Sequence, residues 1–96
     1  MNYKEMLKRL EEKCKELGFD VKYVSERRLA DYAGMNYLAA KDMGYPNCGK
    51  KEFHIAKNMS AQEKYETLKH EIIERKLMAD GDSYWEAHRQ ALRQED

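Results

Sequence analysis

Two helix starts in the second half of the chain restrict its fold more than any other feature. Ser60 is followed three residues later by Glu63, and Ser83 by Glu86. In each pair the serine hydroxyl can accept a backbone N–H of the first helical turn while the glutamate reaches back to the serine N–H. Each pair therefore marks a helix N-terminus. The first helix runs from about Ala61 to about Ala79 and stops before Asp80-Gly81. The second covers about 84–94. With only a short glycine-containing turn between them, the two must fold back on each other as an αα-hairpin.

The rest of the chain must cover this hairpin. Its 96 residues are enough for one small domain, expected to span 1–96, and leave no room for a second domain, a long lid or a large cofactor-binding fold. Residues 3–17 carry Tyr3, Met6, Leu7, Leu10, Cys14 and Leu17 at helical spacing, with Gly18 as the C-terminal cap. Cys14 thus reads as a small core-facing hydrophobe. Residues 19–24 (FDVKYV) alternate and are rich in β-branched and aromatic types, which predicts a strand. Residues 25–49 admit a short helix or strand before Gly34 and a short helix over 36–43. A loop carrying Gly44, Pro46, Asn47 and Gly49 follows. Residues 51–57 (KEFHIAK) alternate again with Phe53 and Ile55 on one face, which predicts a second strand at a sheet edge. The fold class is therefore α+β. An N-terminal helix leads to a small twisted sheet with an edge strand at about 51–57, then a central helix (about 61–79) and a C-terminal helix (about 84–94).

Charge narrows the partners. Eighteen basic and eighteen acidic side chains cancel, so the basic excess of a nucleic-acid binder or of a polybasic membrane-surface protein is absent. No apolar run approaches the roughly 20 residues of a membrane span, and no signal-like apolar stretch opens the chain. Two cysteines, Cys14 and Cys48, make no disulfide framework, so a reducing, cytoplasmic setting is expected.

The chemistry-bearing residues lie in TLKHEIIERKLM. His70 and Glu74 are four apart and share a helix face, with Glu71 rotated about 100° from His70. The pattern HExxE differs by one residue from HExxH, in which the outer residues bind Zn²⁺ and the glutamate acts as base. A carboxylate is an accepted zinc ligand, and His88, on the returning helix, can supply a second imidazole. His70, Glu74 and His88 would then form a His₂Glu site with an open position for water. Ala61, Tyr65, Leu68, Ile72 and Ala79 lie opposite His70, while Ile73 and Leu77 flank it, so the helix is expected to be central. Buried His and Glu side chains need partners. The alternatives are a solvated i,i+4 pair, a core histidine between Trp85 and Leu92, or pairing with Arg89 or Arg28.

The stretch KEFHIAKNMSAQEKYETLKHEIIE resembles the segment before and including the active helix of small zinc-dependent peptidases, the gluzincin-like minimal peptidases and ImmA/IrrE-type metallopeptidases. Phe53-His54-Ile55 stands where their edge strand lies, Asn58-Met59-Ser60 at the polar loop, and Thr67-Leu68-Lys69-His70-Glu71 at the start of the motif. The resemblance covers about residues 51–92. It implies a zincin-like fold, a first ligand at His70, a catalytic base at Glu71, a Zn²⁺ cofactor and a peptide or protein substrate. It also implies an edge strand that holds the substrate by main-chain pairing along Phe53, His54 and Ile55. The chain departs from the pattern at Glu74, where the family has histidine. The gluzincin glutamate ligand of the next helix would be replaced here by His88.

As an enzyme, the chain would hydrolyse peptide bonds with Glu71 moving the proton and with Tyr84 or Tyr65 facing the oxyanion. Glu86 competes with His88 as third ligand but is better explained as the capping partner of Ser83. Cys48 is either a loop residue or a ligand of a latent form, and His54 faces either the cleft or solvent. A non-catalytic metal-binding or protein-interaction domain would use the same residues as a structural site. A di-metal carboxylate protein built on Glu63, Glu66, Glu71 and Glu74 is disfavoured, because Thr67 and Trp85 occupy the positions three before each histidine.

Overall fold

The computed structural model describes residues 2–29 and 32–94. Within them the elements are α1 (Tyr3–Glu16), β1 (Asp20–Val24), α2 (Glu26–Leu29), β2 (Gly34–Asn36), α3 (Tyr37–Met43), β3 (Glu52–Ala56), α4 (Ala61–Ala79) and α5 (Tyr84–Gln94). This is an α+β arrangement of five helices and a three-stranded mixed sheet. Of the two options before Gly34, the described residues show the helix, a single turn (α2); the strand β2, not among the expectations, begins at Gly34 itself, so α3 starts at Tyr37 rather than at 36. No helix among the described residues is long and apolar enough to cross a membrane.

Local chemistry explains the helix limits. Asn2 accepts the Glu5 N–H at 2.9 Å to start α1, and the chain leaves that helix through Gly18 at φ +86°. Asn36 accepts the Ala39 N–H at 3.0 Å to start α3. Both expected capping pairs form: the Glu63 N–H meets Ser60 Oγ at 3.2 Å, and the Glu86 N–H meets Ser83 Oγ at 3.2 Å.

The strand order is β1-β3-β2, with β1 parallel and β2 antiparallel to β3. The strand expected at the edge is therefore the central one. Phe53, His54, Ile55 and Ala56 are all buried. Phe53 and Ile55 face the cluster built with Cys14 and Leu68, while Ala56 joins Leu29, Met35, Ala39 and Ala40. Paired on both sides, β3 has no main chain to offer a ligand, so the expected substrate contact through Phe53, His54 and Ile55 does not arise. His54 created the half-exposed appearance of the sequence. It is 1% exposed, facing neither cleft nor solvent, and is satisfied by the Tyr45 hydroxyl 3.0 Å from Nδ1 and by Glu52 Oε1 3.1 Å from Nε2.

Glu52 ties the loop after α3 to the sheet. Its carboxylate accepts the Gly49 N–H at 2.8 Å and pairs with Lys22 Nζ at 2.5 Å. Lys22 above all, then the Gly49 N–H and His54, holds the Glu52 carboxyl at about 2, below its ordinary 4.5. A depressed carboxyl stabilises the fold fully above its unfolded-state value and loses that contribution as pH falls toward the folded one. The melting-temperature advantage of wild type over Glu52→Gln is thus expected to be constant above about pH 5 and to vanish toward pH 2. Thermal unfolding by circular dichroism across that range checks it; a pH-independent difference would contradict it.

Helix α5 returns along α4 through Ala87 and Ala91, both fully buried. Trp85 and Leu92, expected to enclose His88, are instead 70% and 48% exposed. Two alanines let the helix backbones approach closely, and that approach turns His88 toward α4.

Candidate metal centre

On α4, His70 and Glu74 stand one turn apart, buried at 8% and 2% exposure. His88 descends on them from α5. His70 Nε2 is 2.9 Å from Glu74 Oε2, His88 Nδ1 is 3.0 Å from the same oxygen, and the two ring nitrogens are 3.1 Å apart. The three atoms form a nearly equilateral triangle.

Hydrogen bonding alone does not account for that triangle. An ionised carboxylate oxygen only accepts, each ring nitrogen carries at most one proton, and a ring N–H points in one direction. Three mutual contacts would need three protons where two at most are available. A cation shared by the three atoms removes the conflict. Around a tetrahedral ion with ligands at about 2.0–2.1 Å, neighbouring ligand atoms stand about 3.3 Å apart. The observed edges are shorter by only a few tenths of an ångström, so the group could hold a metal ion.

The surrounding residues orient it. Asn36 Nδ2 donates to Glu71 Oε1 at 3.0 Å and to Glu74 Oε1 at 3.2 Å, leaving Glu74 Oε2 for the histidines. Sheet periodicity sends Gly34 and Asn36 to the α4 side and Met35 to the other. Gly34 allows the close approach: a Cβ there would stand 2.8 Å from Thr67 Cγ2 and 3.0 Å from Glu71 Cγ. Tyr84 lies against His88 with ring centroids 5.4 Å apart and planes inclined at 24°. Burial, then the charges of Glu74 and Glu71, push its phenol up to about 12, so it stays protonated and able to donate.

A cleft of about 330 Å³ opens in front of these groups, bordered by Tyr32, Gly34, Met59, Glu71, Tyr84 and the triad. The structure thus brings together His70, Glu71, Glu74, His88 and Tyr84. Tyr65 is elsewhere, against Tyr3 with centroids 5.9 Å apart. Glu86 is exposed and engaged with Ser83. Cys48 donates to the Glu52 carbonyl at 3.7 Å, its thiol pushed up to about 11 by burial. Arg28 is exposed on α2, and Arg89 lies with Glu86, Gln90 and Arg93 on α5. Neither Glu86 nor Cys48 belongs to the metal-capable group.

Sequence reasoning missed Asn36 and Gly34. An asparagine before a helical run is a capping signal, but nothing local shows that its amide also reaches two carboxylates 35 and 38 residues later. No protein-family model matches the chain, and no significant match is found among curated proteins or solved structures.

Proposed function

We propose that this chain is a minimal zinc-dependent peptidase, with His70, Glu74 and His88 as ligands and Glu71 as general base. One observation carries the reading: two imidazole nitrogens and one carboxylate oxygen converge within 2.9–3.1 Å of one another at the wall of a cleft. Nitrogen and carboxylate donors suit zinc, and a set of three protein ligands, with neither Cys48 nor Glu86 as a fourth, matches catalytic rather than structural zinc sites.

A zinc ion held there would supply Lewis acidity, lowering the pKa of water toward about 7 and polarising the scissile carbonyl. The protein residues supply the rest. Glu71 borders the same cleft, one residue from a ligand and steadied by Asn36, where it takes a proton from the attacking water and returns it to the leaving amine. Tyr84 donates to the developing oxyanion. The substrate main chain pairs with β2, the outer strand that borders the cleft. The Ala56 N–H bonds to the Ala33 carbonyl at 2.9 Å, so antiparallel alternation turns the Gly34 N–H and C=O away from β3.

Metal analysis of untagged protein tests the centre. About one zinc per chain is expected in wild type, with binding weakened at least about 100-fold in each of His70→Ala, Glu74→Ala and His88→Ala. A wild-type protein that takes up no zinc under zinc-replete conditions would overturn it. A second reading is favoured by the way His88 and Glu74 join α5 to α4: a metal clip in a non-catalytic binding module. It shares the ligands and differs in having no use for Glu71.

A further inference from the structure

Helix α5 turns its largest apolar side chains to solvent. It packs on α4 through Ala87 and Ala91, which leaves Trp85 70% and Leu92 48% exposed. With His88 between them they follow i, i+3, i+7 spacing, so one helix face carries all three. Tyr84 and His88 border the cleft, and Trp85 lies against both, with ring centroids 5.0 and 6.3 Å away. The indole is thus held beside the metal centre, at the rim of the cleft. Tyr32, 45% exposed, stands in the cleft lining itself. Three of the five exposed large hydrophobic side chains among the described residues therefore gather around one opening. Single exposed hydrophobics are ordinary, whereas a group of them marks a binding surface.

The charge of the cleft is one-sided. Glu63, Glu66, Glu71 and Glu74 line it, and no Lys or Arg does so among the described residues. The whole chain carries eighteen charges of each sign, so this is a local segregation. A zinc ion at the triad would offset Glu71 and Glu74; the charges of Glu63 and Glu66 remain. Their hydrogen-bond partners, Ser60 and Gln62, are neutral and leave that charge in place. Glu66 and Glu63 precede His70 on α4 by about 6 and 10 Å along the helix axis. An extended peptide advances about 3.3 Å per residue, so both carboxylates stand about two to three residues from a carbonyl held at the metal centre. On α5, Arg89 is answered by the charge of Glu86.

We infer that the cleft and its rim dock a basic amphipathic peptide, with apolar side chains on Trp85 and Leu92 and lysine or arginine side chains toward Glu63 and Glu66. The inference rests on the peptidase reading above and names the substrate class of that site. Apolar side chains laid on the indole and on Leu92 remove both partners from water, which supplies affinity. The carboxylates select the sign of the peptide and steer its approach. From Trp85 to Leu92 the rim is about 10 Å long, room for about three extended residues.

Three nine-residue peptides serve as probes, alternating lysine with leucine, glutamate with leucine, and lysine with serine. They are titrated into the full chain after its zinc content has been measured and the metal chelated, so that none is cleaved. Trp85 is the only tryptophan, so its emission reads docking at the rim directly. The lysine–leucine peptide is expected to shift that emission saturably to the blue and to bind at least about tenfold tighter than either of the others. Trp85→Ala and Leu92→Ser, both at exposed positions, should weaken it by calorimetry, Trp85→Ala at least about tenfold, with zinc content as in wild type. An unmoved Trp85 emission, equal affinity for the glutamate–leucine peptide, or unchanged affinity in both variants overturns the inference. Zinc uptake without lysine–leucine binding overturns it and leaves the peptidase reading standing. Lysine–leucine binding at Trp85 in a chain that takes up no zinc upholds the docking and overturns the peptidase. The comparison of peptides within wild type stands even if a variant fails to fold.

Discussion

Glu71→Gln is expected to keep its zinc and to lose about 10²–10⁴-fold in kcat/KM for peptide cleavage, the usual worth of a positioned general base. The substitution is nearly isosteric, and the glutamine carbonyl can still accept the Asn36 amide that meets Glu71 Oε1 at 3.0 Å. What disappears is the capacity to take up a proton. Metal content, melting temperature and cleavage of a peptide library, measured on the same preparation, separate the possibilities. Unchanged metal with collapsed cleavage identifies the base. Unchanged metal with unchanged cleavage refutes the role given to Glu71. A wild type that holds zinc but cleaves nothing in the library favours the metal clip.

The second large effect is expected at Asn36, which is fully buried and serves three groups at once. Its Oδ1 caps α3, and its Nδ2 is shared between Glu71 and Glu74. Asn36→Leu removes a cap worth about 1 kcal/mol. It also strips two buried carboxylates of a donor, and hydrogen bonds to charged groups contribute about 1.5–3 kcal/mol each. A loss of about 4–7 kcal/mol is expected, a large part of the margin of a small domain. At about 4–8 °C per kcal/mol, the melting temperature should fall by about 15 °C or more. Asn36→Asp separates the cap from the shared donor. It keeps the capping oxygen but sets a third carboxyl against Glu71 and Glu74, so it should also be destabilised at neutral pH. Thermal unfolding at neutral pH reads both variants; a fall of less than about 3 °C in Asn36→Leu would show that the shared donor matters little.

These two residues mark the boundary of what the primary structure discloses. Helix limits at Ser60, Ser83, Gly18 and Gly44 are legible because capping is settled within four residues. The alignment of His70 with Glu74 is legible from the helical period, and the approach of His88 from the short turn after α4. The rank of a strand within its sheet is not local. Residues 51–57 look half-exposed because His54 is polar, and only the distant arrival of β1, β2 and Tyr45 makes the strand central. Asn36 and Gly34 stay hidden for the same reason, since their partners on α4 lie more than thirty residues away.

The position of β3 also sets a timetable for assembly. Both other strands pair only with it, yet it is the last of the three to be synthesised. At about 5–20 residues per second, β1 waits roughly 2–6 s after its own completion before its neighbour exists. During that interval Val21 and Tyr23 have no sheet to join, and α1 is the shelter within reach, through the Tyr23 hydroxyl donating to Glu11. His88 is made later still, so any ion that the His70–Glu74–His88 group holds would be captured only after β3 exists. Chelators added during synthesis are therefore expected to leave the sheet intact.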